Sequence, residues 1–196
     1  MKPFSRRNKN PQSSAKGNYA FIDSQNLNLG VQKMGWKMDW RRFREYLRQV
    51  HKVEKAFMFI GYMPDNEKLY DQMHELGYLI VLKPTLEMYA KPAPDNPVPK
   101  VEGEKEPEEK KHPTKGNVDA ELVLYAVKEM PNYDKAIIVS GDGDFHGLVE
   151  YLDQQGKLLH LLAPNWQYSS LLKPFDRYII RLDQMRRDLA YHDYRK

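Results

Sequence analysis

The sequence predicts an α/β fold, a mostly parallel sheet of five or six strands covered by helices on both faces. Three observations lead there. Short runs are apolar at consecutive positions, as strands buried on both faces are. Segments with helical spacing of apolar residues lie between them, bounded by capping residues, prolines and glycines. The two kinds of segment alternate along the chain, which is the order of a parallel sheet with crossover helices.

Tyr19-Ala20-Phe21-Ile22-Asp23 is the first strand, ending in a carboxylate and followed by a polar loop. Asp39 caps a helix to about Val50, with Trp40, Phe43, Tyr46, Leu47 and Val50 on one stripe. Lys55 to Gly61 is the second strand. Pro64 and Asp65 open a helix that Gly77 ends near Leu76, and Tyr78 to Leu82 is the third strand. Asn117 or Asp119 starts a helix to Met130, broken by Pro131-Asn132. Ala136 to Ser140 is the fourth strand, followed at once by Gly141-Asp142-Gly143-Asp144. A helix over about Phe145–Gln155 stops at Gly156, and Leu158 to Leu162 is the fifth strand. A short helix near Ser169–Lys173 and an edge strand near Tyr178–Arg181 follow. Gln184 to Tyr194 reads as a charged, fraying helix.

The expected organisation is a disordered basic tail over 1–17, one domain over 18–181 and a helical tail over 182–196. The net charge of +4 is misleading as a global property. Residues 1–17 hold Lys2, Arg6, Arg7, Lys9 and Lys16 and no acid, so the body is near neutral and the tail is a candidate phosphate contact. Residues 91–115 hold six of the 13 prolines, six lysines and six acids, with three apolar residues. That composition buries too little surface to order itself, and the segment reads as an insert within the domain.

The chain of 196 residues has no Cys, which excludes disulfides, thiolate metal sites and cysteine nucleophiles and fits a reducing, cytoplasmic setting. No apolar run is long enough to cross a membrane, and the basic N-terminus lacks the apolar stretch of a secretory signal. There is no Walker motif. The acidic Gly141–Asp144 loop lacks GxGxxG spacing and would repel a pyrophosphate.

Sites in open α/β sheets lie outside the carboxyl ends of the strands. Asp23, Asp142 and Asp144 fall there, and Asp119 starts the helix before strand four. If strands one and four are neighbours, Asp23 and Asp142 face each other across a crevice. Two carboxylates about 4 Å apart repel by roughly 4 kcal/mol at an effective dielectric near 20. Such a cluster is tolerable if some members protonate or a cation sits among them, and oxygen donors suit Mg²⁺ or Mn²⁺. Any one of these aspartates alone can be a cap or a turn residue.

Three motifs in chain order resemble those of NYN domains, the PIN-like nucleases, with the LabA-like branch nearest. Ile22-Asp23-Ser24-Gln25-Asn26 is similar to the opening D-x-x-N motif. Lys115-Gly116-Asn117-Val118-Asp119 is similar to the second, K-G-x-D-type motif. Val139-Ser140-Gly141-Asp142-Gly143-Asp144-Phe145 is similar to the S-G-D-x-D-F motif. The resemblance implies a Rossmann-like PIN fold and a Mg²⁺- or Mn²⁺-dependent endoribonuclease. It assigns Asp23, Asp119, Asp142 and Asp144 to the metal, with Asn26 assisting. On the substrate side it places Lys115 near the scissile phosphate and Ser140 orienting a carboxylate.

Arg41, Arg42, Arg44, Lys33 and Lys37 are the candidate cations for RNA, with Trp36 and Trp40 interleaved for stacking on single-stranded bases. The expected partner is RNA, with no membrane, and a homodimer is left open. A non-catalytic RNA-binding module that kept the fold is the competing reading, and a phosphatase or nucleotide hydrolase a third.

Overall fold

A computed structural model describes residues 16–61, 66–83 and 118–192. Most of the basic tail, the 91–115 insert with Lys115, the expected helix start at Pro64-Asp65 and the last four residues lie outside the described residues. The strands are β1 (Asn18–Asp23), β2 (Val53–Gly61), β3 (Tyr78–Lys83), β4 (Ala136–Val139), β5 (Leu158–Ala163) and β6 (Ile179–Arg181). The helices are α1 (Ser24–Lys33), α2 (Trp40–His51), α3 (Glu67–Glu75), α4 (Asp119–Lys128), α5 (His146–Gln154) and the single turn α6 (Arg186–Leu189). All six strands are parallel, in the order β3-β2-β1-β4-β5-β6. The chain therefore builds outward from β1 in one direction, returns to the centre, and builds outward in the other. That reversal opens a crevice between the carboxyl ends of β1 and β4.

The period-2 alternation of a strand separates the two cores. On β1, Ala20 and Ile22 face a layer with Leu27, Val31, Phe43, Leu47 and Met58, beneath α1 and α2. Tyr19 and Phe21 face the other layer, with Phe59, Leu122, Tyr133, Phe145 and Leu152, beneath α4 and α5. Both faces of the central strands are thus buried, which is why their sequences are apolar without a break. Gly77 at φ +87° and Gly156 at φ +61° terminate α3 and α5, a backbone region that glycine enters without a Cβ clash. Lys83 Nζ and Glu121 Oε2 lie 3.2 Å apart, joining the end of β3 to the first turn of α4. Among the described residues no helix is long and apolar enough to cross a membrane.

Three expectations are corrected. The polar loop after Asp23 is a helix, α1. Its sequence SQNLNLGVQK mixes good helix formers with Ser, two Asn, Gly and Val, and burial of Leu27 and Val31 against the sheet supplies what propensity does not. Val50 is 60% exposed and off the buried stripe of α2, which ends instead on His51. Over its described residues the C-terminal segment is not the fraying helix expected for Gln184–Tyr194. It is a 3-10 turn and one α-turn whose Leu189 is buried. Asp39 N–H donates to Leu189 O, Tyr191 N–H donates to Lys37 O, and Met38 bridges Ala190, so the segment is fastened beside α2.

The buried His51 ring shares a 2.8 Å hydrogen bond with Tyr46 Oη and meets the His160 ring edge-on at 4.8 Å. Burial, then the neighbouring His160, holds its pKa down to about 4 from an ordinary 6.5. The unfolded chain takes up a proton at this residue near pH 6.5 and the native state only near pH 4, so stability falls as the pH drops through that window. His51→Phe removes this titration. Melting temperatures followed from pH 7 to 4 should move in the variant's favour as acid is added; a wild-type-to-variant difference independent of pH refutes the linkage.

Candidate active site

Asp23 ends β1 and is also the N-cap of α1. Its Oδ1 accepts the Asn26 N–H at 3.0 Å, which satisfies one of the orphan donors of the first helical turn. Its Oδ2 accepts the Ser140 hydroxyl at 3.2 Å. Ser140 follows β4, has no solvent exposure, and also accepts the Asp142 N–H at 3.1 Å. Its single proton is therefore directed at Asp23, and Ser140 orients that carboxylate without reaching the surface. Asn26 Oδ1 accepts the Gly141 N–H at 2.9 Å. That bond fixes which way the amide points and leaves its Nδ2 hydrogens available to a ligand. Ser24 Oγ donates to Phe59 O at 2.7 Å, so the start of α1 is held to β1, β2 and β4 together.

The loop after β4 makes a 3-10 turn over Gly143–Phe145, capped by Asp142, whose Oδ1 accepts the Asp144 N–H at 3.0 Å. Close packing requires glycine here. A Cβ on Gly143 would lie 2.4 Å from Ser169 Oγ. Asp142 is half-buried and Asp144 exposed. Asp119 is the first residue of α4, which packs against β1 and the Gly143–Phe145 turn.

Asp23 is only 5% exposed, and burial is the main reason its carboxyl titrates above the usual range. The bonds from Asn26 N–H and Ser140 oppose that rise, and the like charges of Asp119 and Asp142 add to it. Three of the four predicted aspartates, Asp23, Asp119 and Asp142, therefore share one electrostatic site. Among the described residues no three Asp, Glu or His side chains converge tightly enough to enclose an ion as they stand. The donor set fits a hydrated hard cation. Mg²⁺ commonly takes one or two carboxylates and keeps several waters, and two carboxylates beside buried Asp23 supply the charge.

The predicted RNA contacts are scattered. Arg41 is exposed. Arg42 pairs with Asp39 at 3.6 Å and bonds Asp188 O, so it holds α2 to the C-terminal turn. Arg44 donates to the carbonyls of Gly77, Val53 and Glu54 and is a structural residue. Trp36 is 6% exposed and Trp40 packs edge-on to Phe43 and Tyr78, so neither offers an open face to a base. Lys33 and Lys37 are exposed. His146 packs edge-on against Phe175.

The sequence reading missed the loop after β5. It lies at the same sheet edge and carries Trp166, 59% exposed, beside Asn165 and Tyr168. Asn165 Nδ2 donates to Gly30 O at 2.8 Å, clasping this loop to α1. A Trp three residues past a strand's carboxyl end was the available signal. A cleft of about 210 Å³ runs between that loop and α1.

The fold is shared with known proteins. The family model for the NYN domain matches residues 19–183, which takes in all three motifs. The chain belongs to the NYN domain family. Within it, the chain is 26% identical over 164 residues to the low amplitude and bright protein LabA of Synechococcus elongatus, spanning 81% of this chain and 80% of that one. In fold it is similar to the crystal structure of VPA0982, a protein of unknown function from Vibrio parahaemolyticus. That match has a TM-score of 0.66 and 22% identity and covers 92% of this chain and 99% of the other.

Proposed function

We propose that this NYN domain protein is an endoribonuclease that hydrolyses RNA phosphodiester bonds at the β1–β4 crevice with bound Mg²⁺ or Mn²⁺. The observation that carries the reading is buried Asp23, held by Asn26 N–H and Ser140 and sharing its field with Asp119 and Asp142. A carboxylate so placed is a standing cost in the free protein, which a cation and a phosphate together would relieve. Family membership and the three motifs support the same assignment.

The divalent ion would supply Lewis acidity and charge neutralisation at the phosphate. Asp23, Asp119 and Asp142 would hold it, Asp144 would bind through water from the rim, and Ser140 would keep Asp23 aimed. Asn26 Nδ2 would donate to a non-bridging phosphate oxygen, and Lys115, placed by motif alone, would sit at the scissile phosphate. Water attacks phosphorus and the P–O3′ bond breaks, leaving a 5′-phosphate and a 3′-hydroxyl. The Cys-free composition leads us to place this reaction in the cytoplasm.

The test is a labelled panel of single-stranded RNA, structured RNA, DNA and mononucleotides, with and without Mn²⁺, alongside Asp142→Asn. Metal-dependent cleavage of RNA, lost in the variant, is the expected result. RNA binding without cleavage under any metal would favour a binding module instead.

A further inference from the structure

Helix α1 connects two clefts. Along one side, Asn26, Gly30 and Lys33 line the 210 Å³ cleft, and the N–H of Asn26 bonds Asp23. Their spacing of four and three residues puts them on one helical face. Immediately beyond the helix, a larger cleft of about 500 Å³ opens between Gly35–Lys37 and the C-terminal turn. Its lining includes Lys37, Arg186, Arg187, His192 and Tyr191, with no carboxylate among the described residues. The walls are fastened by a main-chain bond, Tyr191 N–H to Lys37 O at 2.9 Å, and by the Arg186 side chain, whose Nη2 donates to Gly35 O at 3.2 Å. Lys37 and Arg187 are exposed and enter no salt bridge among the described residues. Tyr191 is 58% exposed. Trp36, also in the lining, has a buried indole N–H with no acceptor.

We propose that a single RNA strand leaves the acidic site along α1 and is anchored in this second cleft by Lys37, Arg186 and Arg187, with Tyr191 stacking on a base. The proposal rests on the nuclease reading for its substrate. Charge decides the occupant: the described lining carries cations and no carboxylate next to an open aromatic ring, which suits a phosphate backbone with unpaired bases. On a body that is nearly neutral overall, this is a local field. The distance suits it too. Ten helical residues span about 15 Å, or roughly four nucleotide steps at the ~3.4 Å stacked rise. The strand therefore needs a few nucleotides beyond the scissile bond before it reaches the anchor. Substrate length, rather than sequence, becomes the first determinant of affinity. The buried Trp36 N–H gains an acceptor if a phosphate or base oxygen enters deeply.

The experiment uses the full chain and the double variant Lys37→Glu/Arg187→Glu. Binding of a labelled twelve-nucleotide single strand and of a trinucleotide is followed by fluorescence anisotropy against salt, in Ca²⁺ and without metal. At 0.1 M salt each phosphate contact contributes about fivefold through counterion release. The double variant should lose more than tenfold in affinity for the long strand, with a salt slope shallower by about 1.4. Trinucleotide binding and melting temperature should not change. A 4-thiouridine placed about four nucleotides from the scissile bond should cross-link to Tyr191. Unchanged long-strand affinity and slope overturn the anchor, as does an equal loss for both lengths. Metal-dependent cleavage that survives alongside unchanged affinity leaves the nuclease reading standing and removes only the anchor. Length-dependent binding without cleavage does the reverse, and no RNA binding by wild type removes both.

Discussion

Asp23→Asn should lower RNA hydrolysis on the order of a thousandfold while making the protein more stable at neutral pH. The two effects have one origin. Burial first, and then Asp119 and Asp142, raise the Asp23 pKa above its ordinary 3.8. Between that value and the raised one the native state holds more protons than the unfolded chain, so stability falls as pH rises through the window. Above it the buried charge is a permanent penalty, and asparagine removes it. The replacement keeps the cap, since its Oδ1 still accepts the Asn26 N–H and asparagine is a good N-cap. Its amide then meets Ser140 Oγ, which can turn its own proton away. Asp23→Ala loses the cap as well and should forfeit about 1 kcal/mol of stability. Adding Mn²⁺ should raise the wild-type melting temperature more than that of Asp23→Asn. Equal turnover in wild type and Asp23→Asn would end the nuclease assignment. A variant melting lower than wild type at pH 7 would show that burial of the charge is not the dominant strain.

Gly30→Val should destabilise the protein by about 3 kcal/mol, against the ordinary trend for a glycine inside a helix. A Cβ there would lie 2.4 Å from Pro164 Cβ and 2.9 Å from its Cγ, atoms of a ring that cannot swing aside. Relief requires α1 and the loop after β5 to part, which breaks the Asn165–Gly30 bond and widens the cleft beside Asn26. Activity should fall with stability because Asn26 rides on the displaced helix. Gly147→Ala is the control. Nothing lies within 4 Å of a Cβ there, and the change should be neutral or stabilising by up to about 1 kcal/mol. Matching melting temperatures for Gly30→Val and wild type would show that the contact yields without strain.

The sheet was legible because its strands are buried on both faces and so apolar without interruption. The crevice followed from topology, since acids at the ends of β1 and β4 meet only if those strands are neighbours, as they are. Helix α1 was illegible. Ser24, Asn26, Asn28, Gly30 and Val31 dilute its better helix formers, and its ten residues hold because Leu27 and Val31 have a sheet to cover. The roles of basic residues were hidden for a different reason. Charge in a sequence does not say whether a guanidinium meets solvent or a carbonyl, and Arg44 meets three carbonyls while neighbouring Arg41 meets solvent. The segment carrying Arg186, Arg187 and Tyr191 looked like a fraying end because the bonds that fasten it, from Arg186 Nη2, Leu189 O and Tyr191 N–H, reach back to residues 35–39, about 150 positions earlier.

The reversal of strand order divides the molecule's chemistry between two lengths of chain. Asp23, Ser24 and Asn26 come with β1 to β3, whereas Asp119, Ser140 and Asp142 come with β4 to β6. The halves meet along the seam between β1 and β4, and the Lys83–Glu121 pair holds the ends from which residues 84–117 depart and return. A break between Lys83 and Val118 severs no strand or helix among the described residues. It leaves two fragments, neither of which owns a complete set of acids. On the proposed nuclease reading, hydrolysis would then report on reunion: supplied as separate polypeptides, the halves should be silent apart and competent together, a split reporter whose signal is a cut RNA.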